Sequence, residues 1–263
     1  MLRRILITYG VELQRSLGSR QYLAGLLLIA TALAAAPFVH PIESPGAGAY
    51  PYIAYVTPLV LNFLGFVLIQ IFAAAQISGD MSTGAIRLML VRPIRRAEYY
   101  LAKFGLCLTY VLLLTGITAA GTWGCAAVWG TLHGVHYGGQ LVASHHELAM
   151  TYLWAFLLGI LPQCAGLCVA LFFSALMRSS TAAAAFTLGT WIVLDIIKYP
   201  LGIEKLVYSS YLEAPWQVFA ERVDAMEGAW TPMAYYCAGT SAATMLVFAL
   251  AAMAVLQRRN LGA

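Results

Sequence analysis

Charged side chains are scarce in this sequence, and their scarcity excludes an ordinary soluble domain. Of its 263 residues, 10% are charged and 61% are hydrophobic. A typical soluble domain is about 45–50% apolar and about 25% charged. A water-facing fold has no core large enough for so much apolar surface, so lipid must be the solvent of this chain. We expect one membrane domain over residues 1–263.

Several sequence motifs of enzymes are missing as well. The chain has no G-x-x-x-x-G-K-[ST] phosphate loop, so it does not bind ATP by that device. It has no G-x-S-x-G, no H-E-x-x-H and no paired carboxylates within an apolar run. An intramembrane enzyme needs polar catalytic groups at bilayer depth, and the apolar runs offer almost none. We therefore expect no enzyme active site and no cofactor in this chain.

Six apolar segments predict an all-α membrane fold with six spanning helices. A helix needs about 20 mostly apolar residues to cross about 30 Å of hydrocarbon. The segments that meet this requirement are residues 21–39, 53–75, 104–131, 151–176, 181–197 and 233–256. Asp195 is the only ionisable residue that lies well within one of these segments. Lys198 follows three residues later, which predicts an ion pair between the two on one helix face.

The distribution of basic residues predicts the orientation. Loops on the cytoplasmic side carry an excess of Lys and Arg. With six spans, one side holds Arg3, Arg4, Arg15, Arg20, Arg87, Arg92, Arg95, Arg96, Lys103, Arg178, Arg258 and Arg259. The other side keeps Lys198, Lys205 and Arg222. We therefore expect a multi-pass protein of the bacterial cytoplasmic membrane with both termini in the cytoplasm.

The first 20 residues have the periodicity of an amphipathic helix. Apolar residues recur at steps of three and four from Leu2 to Leu17, whereas Arg3, Arg4 and Arg15 lie elsewhere on the helical wheel. Such a helix can lie in the membrane interface, with its apolar face in the acyl boundary and its arginines near the headgroups. The alternative is a helix packed against the rest of the protein, and both can hold together.

The stretch from Gln76 to Lys103 is the longest polar interruption on the cytoplasmic side. Its pattern predicts a break of the second span at residues 78–83, with Ser82 or Thr83 capping a short helix. An apolar run over residues 86–91 and a terminating proline follow. The residues that we assign to docking or coupling are Asp80, Thr83, Gly84, Arg87, Pro93, Arg95, Arg96 and Lys103. The alternative is an ordinary basic loop.

This spacing resembles a known family. An acid at Asp80, a glycine at Gly84, an apolar run, Pro93, then Arg96 and Lys103 look like the loop between the second and third spans of permease subunits of ATP-binding-cassette transporters, in the type-2 exporter family. The family usually has Glu where Asp80 stands, and Gly-Thr where this chain has Gly84-Ala85. The resemblance covers the whole length and includes a broken outer segment before the last span.

The resemblance implies partners for this chain. The loop and the N-terminal helix would contact a separate ATPase subunit, present in two copies, which would hold ATP and Mg²⁺. Because six helices are too few to surround a pathway, we expect a second permease copy, in a homodimer or heterodimer. Membrane lipid is a further partner, and nucleic acid is not. The cargo stays open among lipids, peptides and amphipathic drug-like molecules.

Two other functions fit the same sequence. A permease of the same family can support metal-enzyme maturation or copper-related export, which the histidines of a predicted outer loop suggest. These histidines are His133, His136, His145 and His146, and they form a weak candidate metal site. The alternative for them is a solvated, glycine-rich loop. A non-transporting membrane scaffold or sensor is the function of another class.

Two further features concern packing and the outer face. Thr181, Ala185 and Gly189 lie four residues apart in the fifth span, and such small side chains let helices approach closely. They predict either a dimer contact or internal packing. The aromatic and acidic segment at residues 198–232 predicts re-entrant or interfacial helices broken near Pro215, which would act as an exit gate or as a simple lid.

Overall fold

The computed structural model describes residues 2–44, 46–85 and 95–259, and most of them are helical. The N-terminal half contains α1 (Leu2–Leu17), α2 (Arg20–Val39), α3 (Tyr50–Pro58), a π-helical segment (Leu59–Gly65), α4 (Phe66–Ser82) and α5 (Arg96–Trp129). The C-terminal half contains β1 (Val135–Tyr137), β2 (Gln140–Ala143), α6 (His145–Leu176), α7 (Ser180–Ile197), two 3₁₀ turns (Glu204–Leu206 and Tyr208–Tyr211), α8 (Ala214–Val223) and α9 (Met233–Arg258).

The described residues form six helical stretches that are long and apolar enough to cross a membrane. They are Arg20–Val39, Tyr50–Ser82, Arg96–Trp129, His145–Leu176, Ser180–Ile197 and Met233–Arg258. Each contains one of the six segments predicted from the sequence, apart from a few residues at the segment ends. The chain therefore has the architecture of a multi-pass, mainly helical membrane protein.

The polar stretch that was predicted to interrupt the second span is partly helical instead. The helix continues to Ser82, so the prediction of a break at residues 78–83 is wrong by about one turn. The Ser174 hydroxyl of α6 accepts the backbone N–H groups of Ile77 and Ser78 at 2.9 and 3.0 Å. Because a neighbouring helix supplies these polar contacts, the chain stays helical where the sequence turns polar.

Helix α6 lies at the centre of the bundle, and α7 and α9 lie at its edge. The most apolar 18-residue stretch of α6 is 61% buried, compared with 11% in α7 and 17% in α9. Close packing also joins α2 to α5, where a Cβ on Gly25 would lie 1.9 Å from the Tyr110 hydroxyl. The exposed surfaces of α7 and α9 are therefore free to contact lipid or another chain.

The predicted outer loop, residues 132–149, contains a β-hairpin and the start of α6. Strands β1 and β2 pair as an antiparallel hairpin, with Tyr137 opposite Gln140. Gly138 and Gly139 form the turn with φ of +58° and +82°, a conformation that glycine adopts without steric cost. Ser144 then caps α6, since its hydroxyl accepts the Glu147 N–H at 3.3 Å.

A buried charge network as the candidate functional site

Helix α1 turns a polar stripe toward the protein. Thr8, Glu12 and Ser16 lie four residues apart and are buried, whereas the side chains of Leu6 and Leu17 are about half exposed. Glu12 lies off the apolar face of α1 and is only 1% exposed, so the face that packs against the protein is the polar one. A carboxylate can be buried here because a cation from α5 reaches it.

That cation is Lys103, and it joins three helices. Its Nζ lies 2.6 Å from Glu12 Oε2 of α1 and 2.7 Å from Asp80 Oδ2 of α4. Arg15 Nη1 lies 3.1 Å from Asp80 Oδ1, and the Tyr99 hydroxyl donates to Asp80 Oδ2 at 2.8 Å. We call these five residues the charge network.

The charge network is balanced and mostly dry. Its two carboxylates face two cations, and the side chains of Lys103, Glu12 and Asp80 are only 2–5% exposed. Removing one partner from a buried ion pair typically costs about 3–5 kcal/mol, because a desolvated charge is left behind. A cavity of about 200 Å³ adjoins the network and has room for water near Glu12.

The structure brings together residues from two separate predictions. Arg15 comes from the predicted interfacial helix, and Asp80 and Lys103 come from the predicted docking stretch. Sequence reasoning missed Glu12 and Tyr99 as members of the network. A signal for Glu12 exists, since it is the one acid among the first 40 residues and the neighbouring charges are arginines. Such an isolated acid indicates a specific cationic partner.

The burial of Asp80 and Lys103 changes how they can act. Both side chains are buried within this chain, so neither can contact a second subunit directly in this conformation. Their assignment to docking stays a prediction, and any such role passes through the charge network. Arg15 is different, because its side chain is 55% exposed while it contacts Asp80.

Arg96 binds the end of the last helix. Its Nη1 donates to the carbonyl oxygens of Leu256 and Gln257 at 2.6 Å each, and to that of Arg259 at 3.0 Å. The adjacent Arg95 is exposed, and its backbone N–H donates to Glu98 Oε2 at 3.0 Å. The start of α5 is thereby fixed to the end of α9.

Arg259 extends this contact to the end of α6. Its Nη1 donates to the carbonyl oxygen of Ala175 at 2.5 Å. Burial, and then the nearby Arg178, lower the pKa of Arg259. The ends of α6 and α9 are therefore held at the same side of the bundle as the start of α5.

The end of α4 is formed by Thr83 and Gly84. The Thr83 hydroxyl donates to the Gly79 carbonyl at 2.9 Å, as does the Ser82 hydroxyl. Both hydroxyls contribute to the end of α4, and the short helix that one of them is predicted to cap lies outside the described residues. Gly84 has φ +73°, the left-handed conformation usual after a helix end. Arg87, Pro93 and the apolar run 86–91 lie outside the described residues.

The histidines do not converge into a metal site. The Nδ1 atoms of His133 and His136 lie 2.8 and 2.9 Å from the same Gly134 carbonyl oxygen. His145 is bound elsewhere, with its Nδ1 2.6 Å from the Tyr50 hydroxyl, and His146 lies beside it in the first turn of α6. Across residues 2–44, 46–85 and 95–259, no three His, Cys, Asp or Glu side chains are grouped to hold a metal ion.

The small-residue face of α7 points away from its own chain. Thr181 and Ala185 are exposed, and a Cβ built on Gly189 has no neighbour within 4 Å. The inward face of α7 instead uses Ala183 and Thr187. Internal packing, the second alternative for these residues, is therefore wrong, and the dimer contact stays a prediction.

The predicted outer segment, residues 198–232, is folded against the bundle. The predicted pair is present, since Lys198 Nζ lies 2.5 Å from Asp195 Oδ1. Pro215 lies in the first turn of α8, and Trp216 packs on Tyr152 with ring centroids 5.5 Å apart. Burial and the Asp195 carboxylate raise the pKa of Tyr208, so its hydroxyl stays protonated at neutral pH.

Comparison with known proteins gives a family for almost the whole chain. The model of a family described as protein of unknown function (DUF2705) matches residues 21–261. No curated protein matches the chain.

Proposed function

The chain belongs to the family of proteins of unknown function DUF2705, and we propose that it is the permease subunit of an ATP-driven exporter. It would move a lipid, peptide or amphipathic drug-like substrate across the cytoplasmic membrane. The observation that carries this proposal is the charge network. It joins α1 to α4 and α5, the two helices that flank residues 86–94. The family resemblance assigns α1 and the loop between α4 and α5 to contact with an ATPase.

Energy would come from a separate subunit. The sequence has no phosphate loop, so ATP and Mg²⁺ would bind the partner ATPase. A partner drives a conformational change only if it binds the two states of the permease with different affinity. The surface offered to such a partner includes the exposed side chains of Thr83 and Arg95 and the solvent-facing side of α1.

The network would make α1, α4 and α5 respond as one body. Sliding α1 along α4 would separate Arg15 from Asp80, and Lys103 from one of its two carboxylates. The cost of unpairing a buried charge opposes this sliding. A displacement imposed at the end of α4 would therefore reach α1, and through Arg96 it would also reach α9.

The remaining parts follow from the exposed surfaces. The exposed apolar residues of α1, such as Leu6 and Leu17, fit an interfacial helix whose exposed Arg3 lies near headgroups, with Arg4 beside it. The exposed face of Thr181, Ala185 and Gly189 fits a contact with a second permease copy. The outer segment with α8 fits an exit gate.

The proposed orientation puts both termini in the cytoplasm and the β-hairpin outside. A membrane-impermeant maleimide added to intact cells should then label Gln140→Cys in β2 and should not label Arg95→Cys. Labelling of Arg95→Cys alone would reverse the orientation.

The central test is whether an ATPase depends on this chain. We expect an ATPase to co-purify with the tagged protein from native membranes, and its ATP hydrolysis to lose dependence on the permease in Gly84→Pro. Proline cannot adopt φ +73° and removes the N–H that Gly84 donates to Met81. Gly84→Asn is the control, because asparagine tolerates the left-handed conformation.

Two outcomes would contradict the proposal. Full coupling in Gly84→Pro, in protein inserted normally, would remove the docking assignment. The absence of any co-purifying ATPase would favour the scaffold or sensor.

A further inference from the structure

A cavity of about 620 Å³ lies between the second span, α7 and α8. Its volume is in the range of small-molecule sites in proteins, about 300–1,000 Å³. The charge network does not border it. Residues of the π-helical segment form one wall, and Trp191, Glu213 and Trp216 belong to the other walls.

The π-helical segment shapes the first wall. In this segment the Phe66 N–H bonds to the Leu61 carbonyl, five residues back, so the helix is locally wider than an α-helix. The widened turn brings Leu59, Asn62 and Phe63 to the same cavity. Such π-bulges are frequent at functional sites.

Asn62 is one of the cavity-lining residues whose polar atoms lack a hydrogen-bond partner, as are Trp191 and Trp216 at their indole N–H groups. It lines the cavity, its side chain is 8% exposed, and neither its amide oxygen nor its amide nitrogen has a hydrogen-bond partner in the described structure. A buried polar group without a partner costs free energy, which a ligand that hydrogen-bonds to the group recovers. These amide atoms have almost no exposed area, so a rotation of the Asn62 side chain is what brings them to a polar ligand in the cavity.

The charge of the cavity is negative. Asp195 and Glu213 line it, and among the described residues no Lys or Arg does. The Asp195 charge is balanced by Lys198, because Asp195 Oδ1 accepts a hydrogen bond from Lys198 Nζ and another from the Ser209 hydroxyl. The exposed Glu213 carboxylate leaves a net charge of about −1 beside the cavity.

Aromatic rings complete a site for a cation. Tyr55, Phe63, Trp191 and Trp216 line the cavity, and the faces of such rings attract ammonium groups. The Phe63 and Leu59 side chains are 66% and 51% exposed at the surface of the bundle. When the cavity holds the polar end of an amphiphile, its apolar tail can therefore extend along these side chains into the lipid.

We propose that this cavity binds an amphiphile with an ammonium-type cationic headgroup. The headgroup lies between Glu213, Asn62 and Trp191, and the tail runs along Leu59 and Phe63. The assignment of such amphiphiles as the exported substrate rests on the proposed function. Binding in the cavity needs no ATPase.

The test measures binding by the whole chain in nanodiscs of digalactosyldiacylglycerol, a neutral lipid without an ammonium group, and without any ATPase. Radiolabelled dodecyltrimethylammonium is equilibrated with the nanodiscs below its micelle-forming concentration, and uptake by empty nanodiscs is subtracted. Dodecyl sulfate, which has the same tail and the opposite charge, is the matched ligand. We expect saturable binding of the cation at least tenfold tighter than that of the anion.

Variants locate the site. Glu213→Gln and Trp191→Leu should each weaken binding of the cation by about three- to tenfold. Glu204→Gln, which removes the same charge from the neighbouring 3₁₀ turn outside the cavity lining, should bind as the wild type does. A melting curve of each variant shows that the fold is retained.

The proposal is overturned by equal binding of the anion, by non-saturable uptake, or by unchanged affinity in both cavity variants. These results do not depend on coupling to an ATPase. Loss of ATPase coupling with normal binding of the cation would remove the export function and leave the binding site standing.

Discussion

The Lys103 ammonium contacts two carboxylates from two other helices, and this position explains why so polar a group is buried in a membrane protein. Glu12 and Asp80 alone would be two desolvated anions close to each other, which is unfavourable. With Lys103 between them and Arg15 at the edge, the formal charges cancel. A single residue thus determines whether the contact between α1, α4 and α5 is stable.

Changing Lys103→Met should destabilise the protein by about 3–5 kcal/mol, because both carboxylates lose their buried cation. Thermal unfolding of the purified protein in detergent measures the effect. The control is the triple variant Lys103→Met, Glu12→Gln, Asp80→Asn, in which the partners are also uncharged. We expect it to regain most of the stability. A Lys103→Met protein that melts like the wild type would contradict the assigned role of the network.

Helix ends are fixed by side chains of other helices on one side of this bundle. The last carbonyl groups of a helix have no partner within the helix and carry partial negative charge. Arg96 supplies a cationic donor to the end of α9, and Arg259 does so for the end of α6. The helices nearest the 86–94 segment are therefore connected to helices remote from it in sequence.

Arg96→Ala should free the end of α9. The loss of hydrogen bonds from a charged donor should cost about 1.5–3 kcal/mol. Hydrogen exchange should become faster in the last turn of α9, near Leu256. Arg95→Ala is the matched control, since Arg95 is exposed and contributes its backbone N–H to the Glu98 contact. Equal exchange in the two variants would remove the proposed link between α5 and α9.

The molecule as a whole has more apolar surface at its edge than its own helices cover. Helix α7 is the least buried span, and a groove of about 460 Å³ along it includes Ala185 and Gly189. Small side chains allow another helix to approach closely at such a face. Such a face suits association at α7 with a second copy of this chain, which the proposed function requires.

Gly189→Leu should weaken association between copies of this chain without unfolding the monomer, because a Cβ built on Gly189 has no neighbour within 4 Å. Single-molecule photobleaching of labelled protein in liposomes measures the dimer fraction. Gly239→Leu is the control, since Gly239 of α9 has equally open space and no small-residue stripe is assigned there. A dimer fraction reduced equally by both changes, or by neither, would place the contact elsewhere.

The sequence alone predicted the features that depend on neighbouring residues. The six spans follow from local apolar runs, because the length of hydrocarbon to be crossed sets the length of the helix. The pair of Asp195 and Lys198 follows from a spacing of three residues on one helix. Local patterns also singled out Arg15 in the predicted interfacial helix, and Asp80 and Lys103 in the predicted docking stretch.

Only the tertiary structure determined which of these residues meet. Glu12, Asp80 and Lys103 come from three helices, and nothing in the local pattern says that their side chains share one buried site. Likewise His145 meets Tyr50, 95 residues away, instead of the other histidines. The cavity lined by Asn62 is formed by three separate elements, namely the second span, α7 and α8. Burial and pairing of polar groups are set by packing between distant segments, and local periodicity carries no information about that packing.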